Sequence, residues 1–156
     1  LFPYTTLFRS TAEVPGQTKE GYDRMLEALS PALLDAKGFI AHGSAETREE
    51  IATLGIGHFF NPILIEGEMG EGKPLQSVFR RAEALVECHP GEIAFVGNSF
   101  AHDIVPAIDA GWHTVWVRRA SDVPPSRTEP EEKPLGAPEP DAVINKLSEL
   151  LALLSS

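Results

Sequence analysis

The chain has 156 residues, enough for one domain with a sizeable core, and its 42% hydrophobic content is ordinary for a globular protein. A formal net charge of -10 argues against a nucleic-acid or anionic-membrane surface, because such partners demand Lys and Arg; a small phosphorylated ligand needs only one local positive site. No apolar run approaches the roughly 20 residues that cross a bilayer. Cys88 is the only cysteine, so no internal disulfide forms, which fits a reducing, cytoplasmic setting.

Leu1–Ser10 reads LFPYTTLFRS, the translation of a common sequencing-adapter sequence. Residues 1–10 are therefore set aside as a read artefact, and the chain, which has no initiator Met, is expected to be the C-terminal piece of a longer protein. The domain proper is expected over residues 11–156. Thr11–Lys19 is polar with a Pro15-Gly16 turn signal. Tyr22, Met25, Leu26 and Leu29 recur at helical spacing, which predicts a helix over Lys19–Leu29, and Ser30-Pro31 suggests a short further turn. Gly38-Phe39-Ile40-Ala41-His42 reads as a strand ending at Gly43. Ser44 is a suitable N-cap for a helix to Leu54, with Gly55 as its stop.

Ile63-Leu64-Ile65 is a short apolar strand, and Glu66–Gly72 reads as a glycine-rich loop. Pro74 opens a helix with apolar residues at Leu75, Val78, Phe79, Ala82, Leu85 and Val86, ended by His89-Pro90-Gly91. Ile93-Ala94-Phe95-Val96 is a buried strand broken by Gly97-Asn98-Ser99. A helix follows up to Gly111, and Thr114-Val115-Trp116-Val117 is the next strand. Residues 119–140 hold six of the thirteen prolines and read as an extended surface loop. Val143, Ile144, Leu147, Leu150, Leu151 and Leu154 line one face of a final amphipathic helix. Alternating helices and strands predict an α/β, three-layer Rossmann-like parallel sheet. In such sheets, sites lie beyond the carboxyl ends of the strands, which here fall at Ala41-His42, Ile65-Glu66, Gly97-Asn98 and near Arg118.

AHG at Ala41–Gly43, EGKP at Glu71–Pro74, GNSFAHD at Gly97–Asp103 and the following DAGWHTVWV together resemble the C-terminal half of the haloacid dehalogenase-like (HAD) hydrolase superfamily. The resemblance covers Gly16 to Leu154. It implies an HAD-like core and a phosphohydrolase in which an Asp of an Asp-x-Asp motif attacks phosphorus, giving an aspartyl-phosphate. A Lys offsets the repulsion between carboxylate and phosphate, and acidic groups hold Mg²⁺. Carried over by residue, Lys73 is the charge-neutralising catalytic Lys. Asn98 and Asp103 are the metal ligands, with an amide where the first acid is usual. Ala41, His42 and Gly43 stand at the phosphate-binding turn, with Ala where a hydroxyl is usual.

No Asp-x-Asp occurs in the chain. The family's first strand lies in the middle of the sheet, between Phe39–Ala41 and Ile93–Val96. Its loss is expected to leave two unpaired inner edges or to force a direct pairing, with poor stability and no activity.

Blander readings stand beside these. Asp103 suits a helix start, and Asn98 suits a turn. His42 and His102 read as polar loop residues, and Glu66, Glu68 and Glu71 as solvated acids. Phe95, Trp112, Trp116 and Cys88 read as core. Three functions are compatible with the sequence: a Mg²⁺-dependent phosphatase of small phosphorylated metabolites, a non-catalytic relative acting as a binding or regulatory module, or an unrelated doubly wound domain. The last predicts no approach of Lys73 to Asp103.

Overall fold

The computed structural model describes residues 6–9, 37–41, 46–53, 55, 57–118, 131–146 and 148–155. The helix expected at Lys19–Leu29, the Ser30-Pro31 turn, the Ser44 cap and the turn residues His42 and Gly43 lie outside the described residues.

Six parallel strands form one sheet: β1 (Thr6–Arg9), β2 (Lys37–Ala41), β3 (Ile63–Ile65), β4 (Ile93–Gly97), β5 (His113–Val117) and β6 (Ala142–Ile144). Their order is β3-β2-β1-β4-β5-β6, the doubly wound arrangement in which the chain reverses direction across the sheet at its centre. The described helices are α1 (Thr47–Thr53), α2 (Glu66–Met69), α3 (Gln76–Val86), α4 (Val105–Asp109) and α5 (Glu149–Ser155).

The α/β class stands, and three details differ from expectation. First, the central slot is occupied. Thr6–Arg9 pairs in parallel with β2, from Leu7↔Lys37 to Arg9↔Phe39, and with β4, from Thr6↔Ile93 to Arg9↔Val96. β2 and β4 therefore neither present bare inner edges nor pair directly. Two rows of buried N–H and C=O groups are costly to leave unpaired, and a short segment of strand-forming residues such as Thr-Leu-Phe satisfies both. Second, Glu66–Met69 is a helical turn rather than loop, closed by Gly70 in the left-handed conformation at φ 74°. Third, Val143 and Ile144 belong to a strand, not to the final helix. β6 pairs with β5 from Val115↔Ala142 to Val117↔Ile144. The apolar spacing of 143–154 mixes one strand and one helix, and the edge of the sheet takes the β-branched pair. Asp141 fixes that edge: its carboxylate accepts from the Thr114 N–H at 2.8 Å, while the Asp141 N–H donates to Thr114 Oγ1 at 3.2 Å.

The core lies between the sheet and α3. Val78, Phe79 and Ala82 on α3 pack with Ile40, Leu64, Ile93, Phe95 and Trp112. Phe79, Phe95 and Trp112 form a triangle with ring centroids 5.1–6.0 Å apart, the tilted geometry aromatic rings prefer. Leu75 and Leu85, expected on the same apolar face, are exposed. Trp112 also donates its indole N–H to Glu83 at 2.7 Å. The aromatics thus form core, as expected, and Cys88 is half-buried against the same cluster.

α4 ends as expected at Gly111, whose φ of 80° reverses the chain. The Trp112 N–H reaches Ala107 O and the Gly111 N–H reaches Ile108 O, both at 2.9 Å, which satisfies the last carbonyls and aims the chain into β5.

Candidate functional site

The site grows from the carboxyl end of β4. Ile93 to Gly97 are all buried, consistent with a strand covered on both faces. Gly97 is needed for space, since a Cβ there would overlap the Asp103 side chain, which folds back over the strand end. Ser99 then caps the helix: its Oγ accepts from the His102 N–H at 3.3 Å. The first turn, Phe100–Ile104, is wider than an α-turn. Both the Asp103 and Ile104 N–H groups donate to Ser99 O, at 3.0 and 3.2 Å. Asp103 Oδ2 in turn accepts from the Ser99 N–H at 3.0 Å.

The second arm comes from β3. After α2 and Gly70, the chain passes Glu71, whose carboxylate accepts from Ser77 Oγ at 2.9 Å, and Gly72, where any Cβ would meet the Glu66 side chain. Lys73 follows. Its ammonium lies 2.5 Å from Asp103 Oδ1 and 5.7 Å from the centroid of the Phe95 ring. The two side chains are only 5% and 2% exposed. A buried carboxylate is costly without partners, and Asp103 has one on each oxygen: an ammonium and a backbone amide. Lys73 likewise has its charge answered by Asp103 and its ammonium over an aromatic face.

Lys73 and Asp103, 30 residues apart, are thus brought together, as the phosphohydrolase reading requires and the unrelated-domain reading does not. Asn98 lies half-buried in the same turn, one residue before Ser99, and its carbonyl accepts from the Trp116 indole N–H at 3.1 Å. Ala41 ends β2 level with Ile65 of β3. His42 and Gly43, its neighbours in the expected phosphate turn, lie outside the described residues. His102 is exposed, with Nδ1 3.3 Å from Ser99 Oγ.

Of the acids after β3, Glu68 is exposed, as expected of a solvated acid, but it is also paired. Arg48 on α1 grips Glu68 with two bonds of 2.7 and 2.8 Å and donates to Ile63 O at 3.2 Å. That hydrogen bonding holds the Glu68 carboxyl below its usual range and the Arg48 guanidinium above its own.

Sequence reasoning missed Ser99 as a partner of Asp103, although a Ser just ahead of a helix is a recognisable cap signal. It read Gly97 only as a strand breaker. It had no signal for Glu131, whose carboxylate accepts from the Phe100 and Ala101 N–H groups at 3.0 and 3.2 Å.

The donor set suits a hard, oxygen-seeking cation in kind. Asp103 supplies a carboxylate whose oxygens retain lone pairs beyond the bonds described, and Asn98 supplies an amide oxygen. Mg²⁺ commonly binds through one or two carboxylates, with water and substrate phosphate completing its shell. Among the described residues, no group of three or more His, Cys, Asp and Glu side chains gathers to enclose a metal. Asp103 and Asn98 are thus of a kind that Mg²⁺ accepts, and two such groups alone would leave most of its shell to water and substrate.

Comparison with known proteins agrees with this geometry. The HAD-hydrolase-like family model matches residues 70–150, more than half of the chain, and spans both Lys73 and Asp103. N-acylneuraminate-9-phosphatase of Rattus norvegicus is 30% identical over 119 residues, covering 75% of this chain and 44% of that protein. The chain therefore spans less than half the length of this curated relative. Among solved structures, an uncharacterized protein from Listeria monocytogenes serotype 4b superposes with a TM-score of 0.71 at 19% identity, covering 96% of this chain and 98% of that one. HAD-hydrolase YfnB from Bacillus subtilis, bound to magnesium, superposes with a TM-score of 0.67 at 22% identity, covering 89% and 56%. At such identities the structures speak for the fold, and the family model carries the assignment: the chain belongs to the haloacid dehalogenase-like hydrolases.

Proposed function

We propose that the chain is the Lys- and metal-bearing part of a phosphohydrolase that acts on a small phosphorylated metabolite through an aspartyl-phosphate. The observation that carries this reading is the buried approach of Lys73 to Asp103 at the carboxyl ends of the strands. A carboxylate attacking a phosphate brings negative charges together, and in this reading the Lys73 ammonium offsets them. Phe95 beneath it and the burial of the pair keep Lys73 in place and exclude water. Asp103 and Asn98 would hold Mg²⁺, which supplies charge stabilisation to the phosphoryl oxygens. The relative's name, an acylneuraminate 9-phosphatase, supports a phosphorylated small molecule as substrate class. Among the described residues no helix is long and apolar enough to cross a membrane.

The chain itself contains no Asp-x-Asp, so alone it turns over no phosphomonoester. In this reading residues 1–10 are a read artefact, residues 11–156 are part of the core domain, and the parent gene's own sequence in place of residues 1–10 supplies the nucleophile. The deciding experiment is to recover that sequence and assay the joined protein on small phosphomonoesters with Mg²⁺. Turnover is expected, and Lys73→Ala should lower kcat by about 10²-fold or more, the scale for removing one charge-stabilising group. An upstream region with no Asp-x-Asp after its first strand would overturn the reading.

A second reading has its own support. Ala41 replaces a hydroxyl and Asn98 replaces an acid, which suits a binding or regulatory module that keeps the fold without the chemistry. Absence of turnover by a joined protein that does carry Asp-x-Asp would favour it.

A further inference from the structure

The N–H groups that open a helix have no acceptor within it. Here four in succession, those of Ser99, Phe100, Ala101 and His102, each meet a side chain. Asp103 and Ser99, both local, take the first and the last. The middle two go to one carboxylate from far along the chain: the Phe100 N–H donates to Glu131 Oε2 at 3.0 Å and the Ala101 N–H to Glu131 Oε1 at 3.2 Å. The segment carrying Glu131 is itself fastened to the same region. Arg118 donates to the Glu131 carbonyl at 3.5 Å and lies 4.8 Å over the Trp116 ring, and Trp116 donates to Asn98 O. Ala137 packs on the cluster of Phe100, Ile104 and Trp116.

We propose that Glu131 is a positioning residue for the candidate site. Its carboxylate sets the turn that carries Asn98, Ser99 and Asp103, and so sets how Asp103 meets Lys73 and how the Asn98 and Asp103 oxygens face a divalent cation. Hydrogen bonds to an ionised acceptor are the strong kind, and two oxygens matched to two adjacent amides fix an orientation that one bond would not. Glutamine cannot replace it, because it offers one acceptor and turns an NH₂ group toward a backbone donor. The surface loop read from the prolines thus includes a brace for the site. The cation half of this proposal rests on the metal assignment above; the bracing half does not.

The test compares the full chain with Glu131→Ala and Glu131→Gln, and with Lys133→Ala as a control. Lys133 lies in the same segment, donating to Ala137 O at 3.0 Å, and touches neither amide. Three quantities are read: amide hydrogen exchange, the NMR signal of the Lys73 ammonium, and Mg²⁺ affinity by calorimetry.

In both Glu131 variants, exchange at Phe100 and Ala101 should accelerate roughly tenfold while Phe95 and Val115 stay protected. The Lys73 ammonium signal should shift or broaden and Mg²⁺ affinity should fall several-fold; the control should leave all three unchanged. Unchanged exchange at Phe100 and Ala101, loss of protection spread equally over β4 and β5, or an undisturbed Lys73 signal would overturn the brace. If the unaltered chain binds no Mg²⁺, the metal assignment falls, and exchange with the Lys73 signal still decides the brace. Should Glu131→Ala fail to fold, Glu131→Gln gives the reading.

Discussion

β1 and β4 lie side by side at the centre of the sheet, yet the sequences that follow their carboxyl ends carry different chemistry. β4 is buried along its length and runs into a turn in which the Ser99, Phe100, Ala101 and His102 amides are taken by the side chains of Asp103, Glu131 and Ser99. β1, Thr6–Arg9, makes the parallel pairings an inner strand needs, but the sequence continues Arg9-Ser10-Thr11, with no carboxylate where the family has its nucleophile. Backbone pairing is indifferent to sequence, so a short strand-forming segment can complete a sheet. Chemistry at a strand end is not indifferent: it needs particular side chains at particular spacings.

Three experiments probe this contrast. The largest effect is expected from deleting residues 1–10. Losing an inner strand strips partners from β2 and β4 at once, and marginal stabilities of about 5–15 kcal/mol leave little to absorb it. Circular dichroism with urea should show no cooperative transition, whereas replacing Thr6–Arg9 with Val-Thr-Ile-Thr should preserve one. Equal cooperativity in the deleted chain would mean that β1 is dispensable and the contrast false.

Next comes the buried pair. Lys73→Met leaves the Asp103 carboxylate buried beside a methyl thioether, at an expected cost of about 3–5 kcal/mol. Adding Asp103→Leu should recover most of that loss, because an apolar pair needs no ionic partner. A single variant as stable as the parent in urea denaturation would show that Asp103 does not depend on Lys73.

The smallest effect belongs to the exposed pair Arg48–Glu68 beside β3. Its hydrogen bonds depress the Glu68 carboxyl, so whatever it stabilises is present above the ordinary carboxyl range and lost as pH falls through the folded value. The gap between the parent and Glu68→Gln should therefore be small at neutral pH and close on acidification. A gap that widens in acid would reverse the assigned sign.

Much of this was legible beforehand. The short β-branched runs at Ile63–Ile65, Ile93–Val96 and Thr114–Val117 became strands because nothing else buries such runs so cheaply, and Gly111 stopped its helix through the positive φ it alone tolerates at no cost. Lys73 and Asp103 were named from motif context. Other features were not legible. Val143 and Ile144 fit a helical stripe as well as a strand, and only the free edge of β5 chose between them. Glu131 carried no signal, since acids in a proline-rich stretch are ordinarily solvated.

From its sequence alone, this protein is an α/β domain of a known hydrolase family, with a lysine and an amide–carboxylate pair set at strand ends. Local periodicity, glycine placement and motif spacing act over a few residues, and they survive being read in a line. Only the tertiary structure decided that Thr6–Arg9 completes the sheet, that Lys73 meets Asp103 at 2.5 Å, and that Glu131 accepts from the turn that carries Asp103. Those outcomes depend on which distant groups lack partners once the core has closed, and a linear pattern does not carry that information.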